Sequence, residues 1–417
     1  MINRDIAHIV IELETPLKVG SNASDFLQDS PIQKDFNALP MILGTSIAGV
    51  LRKDFDKTRV NDIFGKENGS KVIFSNALLL DENANVSETL LLQKSKFLKI
   101  FDNLPIREHT SITKKGVAKE NSKFDEEVLY KGTRFKFSVE VIDDKESFEE
   151  ILDLLSSISF RLGGGSTKGF GKIKIISIKT ENFSLKNYAS YSSSLNYKLA
   201  NTYKLKTTTS KDYTRYLLKL TPDDFFIFGS GFGDEEADAT PVYEKVVDYK
   251  NAKLSDDEIL IPASSVKGAI AHRTVFHYNS LEGNTIENEK GISLLENIFG
   301  MAKNSKKNIY GAKGKIIFND CYQKDKQESK VFQHVAIDRF TGGAIDGALF
   351  QEKTIAQKDE WEIEILLDTS VIGTEKQAFE KSLLDITMGM LPLGGMTTKG
   401  HGIFGGKLFI DGVKYEK

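Results

Sequence analysis

The chain spells Gly163-Gly-Gly-Ser-Thr-Lys-Gly-Phe-Gly171 and, at a constant offset of 231 residues, Gly394-Gly-Met-Thr-Thr-Lys-Gly-His-Gly402. Outward from these loops the match runs without a gap over residues 148–171 and 379–402, with Phe-Glu at its start and leucines at Leu152/Leu383 and Leu162/Leu393. A fixed-offset repeat near the end of each half indicates two copies of one domain. Function is therefore sought in features that come in pairs.

Before each loop lies a helix start with capping-box spelling, Ser147-Phe-Glu-Glu150 and Thr374-Glu-Lys-Gln377. After each lies a closing strand, expected over 172–178 and 404–410. Each half opens on a strand, Ile9-Val-Ile-Glu-Leu13 and Tyr216-Leu-Leu-Lys-Leu220, whose alternation buries one face. Thr15-Pro16 with Gly20-Ser21, and Thr221-Pro222 with Gly229-Ser230, follow these strands. Next come matched helix starts in which Thr45 and Ser46, and Ser264 and Ser265, supply N-cap hydroxyls. Ile63-Phe-Gly65 and Ile298-Phe-Gly300 follow, then polar stretches around His109 and His334, then strands over 134–141 and 360–367. The order β, α, β, then α, loop, β predicts an α+β fold: two tandem ferredoxin-like domains with helices on one face of each sheet. The expected domains are residues 1–180 and 213–417. Residues 181–212, with serine and threonine runs, read as a linker without a core of its own.

Composition narrows the class. The 417 residues, 40% hydrophobic and 28% charged, give ample core for two or three domains of roughly 150 residues each. No run approaches the ~20 apolar residues of a membrane span, and Met1-Ile-Asn-Arg-Asp-Ile lacks a signal-peptide core, so a cytoplasmic protein without a membrane partner is expected. Cys321 stands alone, which excludes intrachain disulfides and cysteine-rich zinc sites. A formal charge of −3 argues against indiscriminate coating of nucleic acid but leaves a locally basic surface open.

The glycine loops fail both nucleotide fingerprints. A Walker A loop needs Gly-Lys-Ser/Thr before a helix and a Rossmann loop joins strand to helix, whereas here a strand follows the loop. What remains is a run of backbone N–H groups that side chains do not screen, with Lys168 or Lys399 beside them, suited to an anion. A tight turn that needs glycine only for left-handed conformations is the alternative.

Four elements, in order, resemble the RAMP superfamily of CRISPR-associated proteins: Asp29-Ser30-Pro31 after Gly20-Ser21; the Leu39-Pro-Met-Ile-Leu-Gly44-Thr-Ser and Ile261-Pro-Ala-Ser-Ser265 helix starts; His334-Val-Ala-Ile-Asp-Arg-Phe-Thr341; and the two glycine loops. The chain is similar to the repeating backbone subunit of type III RNA-guided effectors, here fused as two copies. The resemblance implies that Thr45, Ser46 and Arg52, and Ser264, Ser265, Lys267 and Arg273, grip guide-RNA phosphates, with Ala48 standing where copy two has Lys267. It assigns the same task to Gly164, Gly165, Ser166, Thr167 and Lys168, and to Gly394, Gly395, Thr397, Thr398 and Lys399. Thumb-like hairpins are expected over 107–128 and 334–350, with His109, His334, Asp338, Arg339 and Phe340 touching RNA; long solvated hairpins are the alternative.

The resemblance further implies that Asp29 cuts target RNA, either holding Mg2+ or another divalent cation or orienting the attacking 2′-hydroxyl. In copy two, counting back from Pro241 selects Ala239 and counting forward from Gly229 selects Asp238, which is favoured; Asp234 lies in the same loop. Partners implied are CRISPR guide RNA, complementary target RNA and other RAMP-type subunits. Competing readings are a purely structural guide-binding subunit and a precursor-processing ribonuclease acting through histidine.

Overall fold

The alternating pattern of the opening strand is realised over Arg4–Leu13, longer than expected, with Ile9, Ile11 and Leu13 in the core. The computed structural model describes residues 3–21, 31–113, 118–120, 122–206, 212–285, 290–301 and 311–415. Arg4–Leu13 is the centre of a sheet, antiparallel to Arg134–Ile142 on one side and to Ile173–Phe183 on the other. Val72–Phe74 and Ala77–Leu79 complete the far side of Arg134–Ile142. Copy two repeats the plan: Tyr213–Pro222 lies between Trp361–Asp368 and Phe404–Ile410, and Ile316–Phe318 lies beyond Trp361–Asp368. Both sheets thus run second, third, first, fourth strand, the antiparallel ferredoxin-like order.

Helices Gly44–Asp54 and Lys145–Leu154 bury Ile47, Leu51, Ile151 and Leu152 against the first sheet. Ala263–Leu281 and Gly373–Thr387 do the same in copy two with Val266, Ile270, Phe379 and Leu383. The capping-box expectation is off by one turn in copy one. Asp144, not Ser147, is the N-cap, and its carboxylate accepts the Ser147 N–H at 2.9 Å. In copy two the helix starts at Gly373, and its N-cap, Ile372, offers no capping side chain.

Residues 181–206, read as linker from the sequence, pack on the first domain. Asn201–Thr202 add an edge strand to its sheet. Leu199 closes a small core with Ile6 and Phe183, and Leu195 closes another with Leu80 and Val86. The apolar residues that do this recur irregularly among serines and tyrosines, which is why the segment shows no period. Beneath this strap, burial and the charge of Lys136 push His8 down to about 4.

No helix among the described residues is long and apolar enough to cross a membrane.

Candidate nucleic-acid interface

The two glycine loops are the same object at the level of single hydrogen bonds. Gly164 N–H donates to the Lys18 carbonyl at 2.8 Å and Gly171 N–H to Pro16 at 2.8 Å; Gly395 donates to Ile227 at 2.7 Å and Gly402 to Phe225 at 2.8 Å. Gly171 and Gly402 have φ of +82° and +76°, and a Cβ on either would stand 2.0 Å from the carbonyl oxygen of Leu162 or Leu393. The loops therefore hold the chain after the first strand, and this work occupies several of the N–H groups expected to cradle an anion. Left-handed backbone is what the glycines supply here. The same bonds align Pro16 with Phe225, so the similar spelling of Thr15-Pro16 and Thr221-Pro222 is out of register by three residues.

The helix starts also differ from expectation. Leu43 and Pro262 occupy the N-cap positions without a capping side chain, and the hydroxyls of Thr45, Ser46, Ser264 and Ser265 fall within the first turn. The caps arrive from the short link between the two strands that follow: Asn76 Oδ1 accepts Gly44 N–H at 2.9 Å, and Asp320 Oδ1 accepts Ala263 N–H at 2.8 Å.

Copy one's loop rests on copy two's helix start. Gly169 pairs with Asn319, and a Cβ there would meet Asp320 Oδ1 at 2.3 Å and Ala263 Cβ at 2.7 Å. At this junction Lys267 Nζ donates to Thr167 Oγ1 at 3.2 Å, while Lys168 lies over the Phe124 ring, 5.5 Å from its centroid. Among the described residues neither lysine has a carboxylate within ion-pair distance. Burial, reinforced by the neighbouring Lys168, pulls Lys267 down to about 8. An ammonium held out of water without an anion is a site primed for phosphate.

Each hairpin root carries a cluster that sequence reading found only in part. His109 stacks on Phe124 with centroids 5.1 Å apart, and His334 on Phe350 at 4.9 Å. The glycine-loop lysine covers the same ring in both, Lys399 standing 4.5 Å from the Phe350 centroid. Below lies a carboxylate. Glu126 accepts from Lys18 and lies 3.2 Å from His109 Nε2. Glu352, 0% exposed, has His334 Nε2 at 3.0 Å and His401 Nε2 at 2.9 Å on one oxygen, with Lys399 3.8 Å from the other. The recurring spellings Phe124-Asp-Glu126 and Phe350-Gln-Glu352 were the available signal.

The hairpins themselves form as expected, Ile106–His109 with Phe124–Glu127 and Ser329–Ile337 with Ala344–Ile355. At the second tip Asp338 accepts from the N–H groups of Phe340 and Thr341, leaving Phe340 99% exposed beside exposed Arg339.

Several candidates stand elsewhere. Arg273 is held by Asp385, which also binds His277 at 2.6 Å; it is committed to the last helix and is not an open phosphate grip. Arg52 is exposed and reaches Asn61 at 3.3 Å. Asp29 lies outside the described residues. Ser21 N–H bonds to Pro31 as Ser230 bonds to Thr240; the intervening loops are equally long, and Asp29 corresponds by count to Asp238. Exposed Asp238 accepts Gln351 N–H at 2.8 Å, tying its loop to the second hairpin, and Asp234 caps Glu236 and Ala237 in the same loop. A cleft of about 440 Å³ between the copies is lined by charges that pair with one another, as Lys172 does with Glu364, and reaches the junction at Asn319 and Asp320.

A family model described as the RAMP superfamily matches residues 10–174 and again 226–405. No curated protein matches. A cryo-EM structure of the type III-B Cmr-beta bound to cognate target RNA aligns at 19% identity and TM-score 0.33, over 42% of this chain and 60% of that one. With one family model fitting each copy in turn across most of its length, the chain belongs to the RAMP superfamily.

Proposed function

We propose that this chain is a guide-RNA-binding backbone subunit of a type III CRISPR effector, with RNA running over the junction of copy one's glycine loop and copy two's helix start. The observation that carries this reading is Lys267, half-buried beside Thr167 and Lys168 with no carboxylate at ion-pair distance among the described residues. Copy one's own helix start offers Ala48 at that place and grips less. Anisotropy of labelled RNA with the full chain tests it. Lys168→Ala with Lys267→Ala is expected to weaken binding about tenfold or more and to flatten the salt slope by about 2. Unchanged affinity and slope would remove the junction from the RNA path.

We further propose that the subunit cleaves complementary target RNA through Asp29 and its counterpart Asp238. Among the described residues no three carboxylate, imidazole or thiolate side chains are placed to hold a metal ion together, so a Mg2+ ion would draw its remaining ligands from RNA phosphates and water beside Asp238. The proposed part of Asp238 is to orient the 2′-hydroxyl and take its proton, so that the 2′-oxygen bonds to the adjacent phosphorus while the 5′-oxygen leaves and takes a proton from water. The products are a cyclic phosphate and a 5′-hydroxyl. The hydrogen bond of Asp238 to Gln351 favours a second reading in which copy two is a scaffold and only Asp29 cuts. Cleavage by the assembled complex with magnesium, comparing Asp29→Ala, Asp238→Ala and the double variant, separates the two. Loss of one cut per substitution supports two sites, and full cutting by the double variant leaves a guide-binding subunit alone.

A further inference from the structure

The internal junction is an interface between two copies of one domain, and each copy carries the half that the other uses. Copy one contributes its glycine loop and hairpin root. There Arg107, 7% exposed, donates to Asp320 at 2.6 Å, to Glu244 at 2.8 Å and to the Tyr322 hydroxyl at 2.7 Å. Copy two contributes its helix start and the strand after it, with Asp320, Tyr322, Glu244 and Lys267.

Among the described residues the other two halves have no such partner, and their residues can be matched position by position. On copy two's hairpin Phe332 faces Glu352 in the register in which Arg107 faces Glu126, so Phe332 stands for Arg107. On copy one Asn76 caps its helix as Asp320 caps the other, and stands for it. Two residues on, Leu78 stands for Tyr322, and Ala48 for Lys267. The bridge Lys34–Pro40 matches Tyr243–Ile259, so Asp35 stands for Glu244, and its carboxylate is already bound to the Asn37 and Leu39 N–H groups. Docked head to tail in the internal geometry, two such chains would set Phe332 against Asn76, with Leu78, packed on the small core of Leu80, Val86 and Leu195, in the place of the Tyr322 hydroxyl. The guanidinium and its free carboxylates would both be missing.

We infer that the chain does not extend itself: its open faces take non-identical neighbours, and the occupant of copy two's face is a different RAMP-type chain presenting a neutral, partly apolar surface where copy two has Asp320 and Glu244. This rests on the proposed role among RAMP-type subunits and is independent of RNA binding, which the test omits. Light scattering of the full chain over a wide concentration range should show a monomer. Phe332→Arg with Asn76→Asp rebuilds the internal ion pair at the open ends and should give head-to-tail oligomers, with self-association tightened about tenfold or more and weakened by salt. Either single variant should remain monomeric. Wild-type oligomers that Asn76→Arg dissolves would overturn the inference. So would a double variant that unfolds as cooperatively as wild type yet associates no more than it does.

Discussion

The two hairpin roots solve one packing problem with the partners exchanged. In copy one the strand supplies the cation and the loop the ring, Arg107 lying 4.9 Å from the Phe170 centroid. In copy two the strand supplies the ring and the loop the imidazole, with Phe332 and His401 centroids 5.4 Å apart. The basic-on-aromatic contact survives the exchange, because either order fills the same space. What changes is what the strand residue can reach: Arg107 spans the junction to three polar groups, while Phe332 packs within its own domain on Phe225, 5.0 Å away between centroids. A duplicated domain has thereby acquired one committed face and one open face.

The largest expected effect breaks this comparison at its strongest point. Arg107→Ala strands buried Asp320 and Glu244 without their cation and should cost about 3–5 kcal/mol in denaturant unfolding, as removal of one partner of a buried pair does. Phe332→Ala, in the equivalent place but partly exposed and without such dependents, should cost well under half of that; equal losses would show that the junction is no more committed than the open face. Next is the glycine pair Gly169 and Gly400, both left-handed at φ of +109° and +92°. Alanine at either pays roughly 1–2 kcal/mol for the backbone. Only at Gly169 does the new Cβ strike Asp320 and Ala263, so Gly169→Ala should lose clearly more, and the excess measures how tightly the copies dock.

Two pH measurements sharpen the contrast further. Burial raises the Glu126 carboxyl, but His109 at 3.2 Å and the hydrogen bond and charge of Lys18 outweigh it and hold it at about 2 against the usual 4.5. A depressed acid contributes stability above its unfolded value and loses it as pH falls through the folded one. Glu126→Gln should therefore flatten the stability profile between about 4.5 and 2; an unchanged acid limb would deny the cluster its charge. The smallest effect concerns Lys267. With its ammonium pulled down to about 8, phosphate binding, which needs the charged form, should weaken as pH rises through 8. Lys267→Arg should hold its affinity there, since a guanidinium stays protonated. A flat wild-type profile would place the phosphate elsewhere.

The duplication, the order of elements and the glycine loops were legible in the sequence because each is written in short local spellings that recur in the same order in both halves. The helix caps were not: Asn76 and Asp320 lie 32 and 57 residues beyond the N–H groups they serve, so a local rule gave the role to Thr45, Ser46, Ser264 and Ser265. Arg273 fitted a helix-start pattern, but its partner Asp385 is on another helix and no spacing announces it. Glu126 and Glu352 went unread because their histidines sit across a hairpin or on the loop. Lys267 and Lys168 belong to different copies, so their meeting is a property of how the repeats dock.

The strap over the first sheet bears on how the molecule is made. The edge strand Asn201–Thr202 and the chains of Leu195 and Leu199 cover the back of copy one. During synthesis the first domain cannot finish its fold when the closing strand leaves the ribosome; it must wait for some twenty residues more. A gene fragment cut at the apparent end of the repeat would yield a half-molecule with Ile6 and His8 bared to solvent, prone to aggregate for reasons unrelated to the interface it was cut to study.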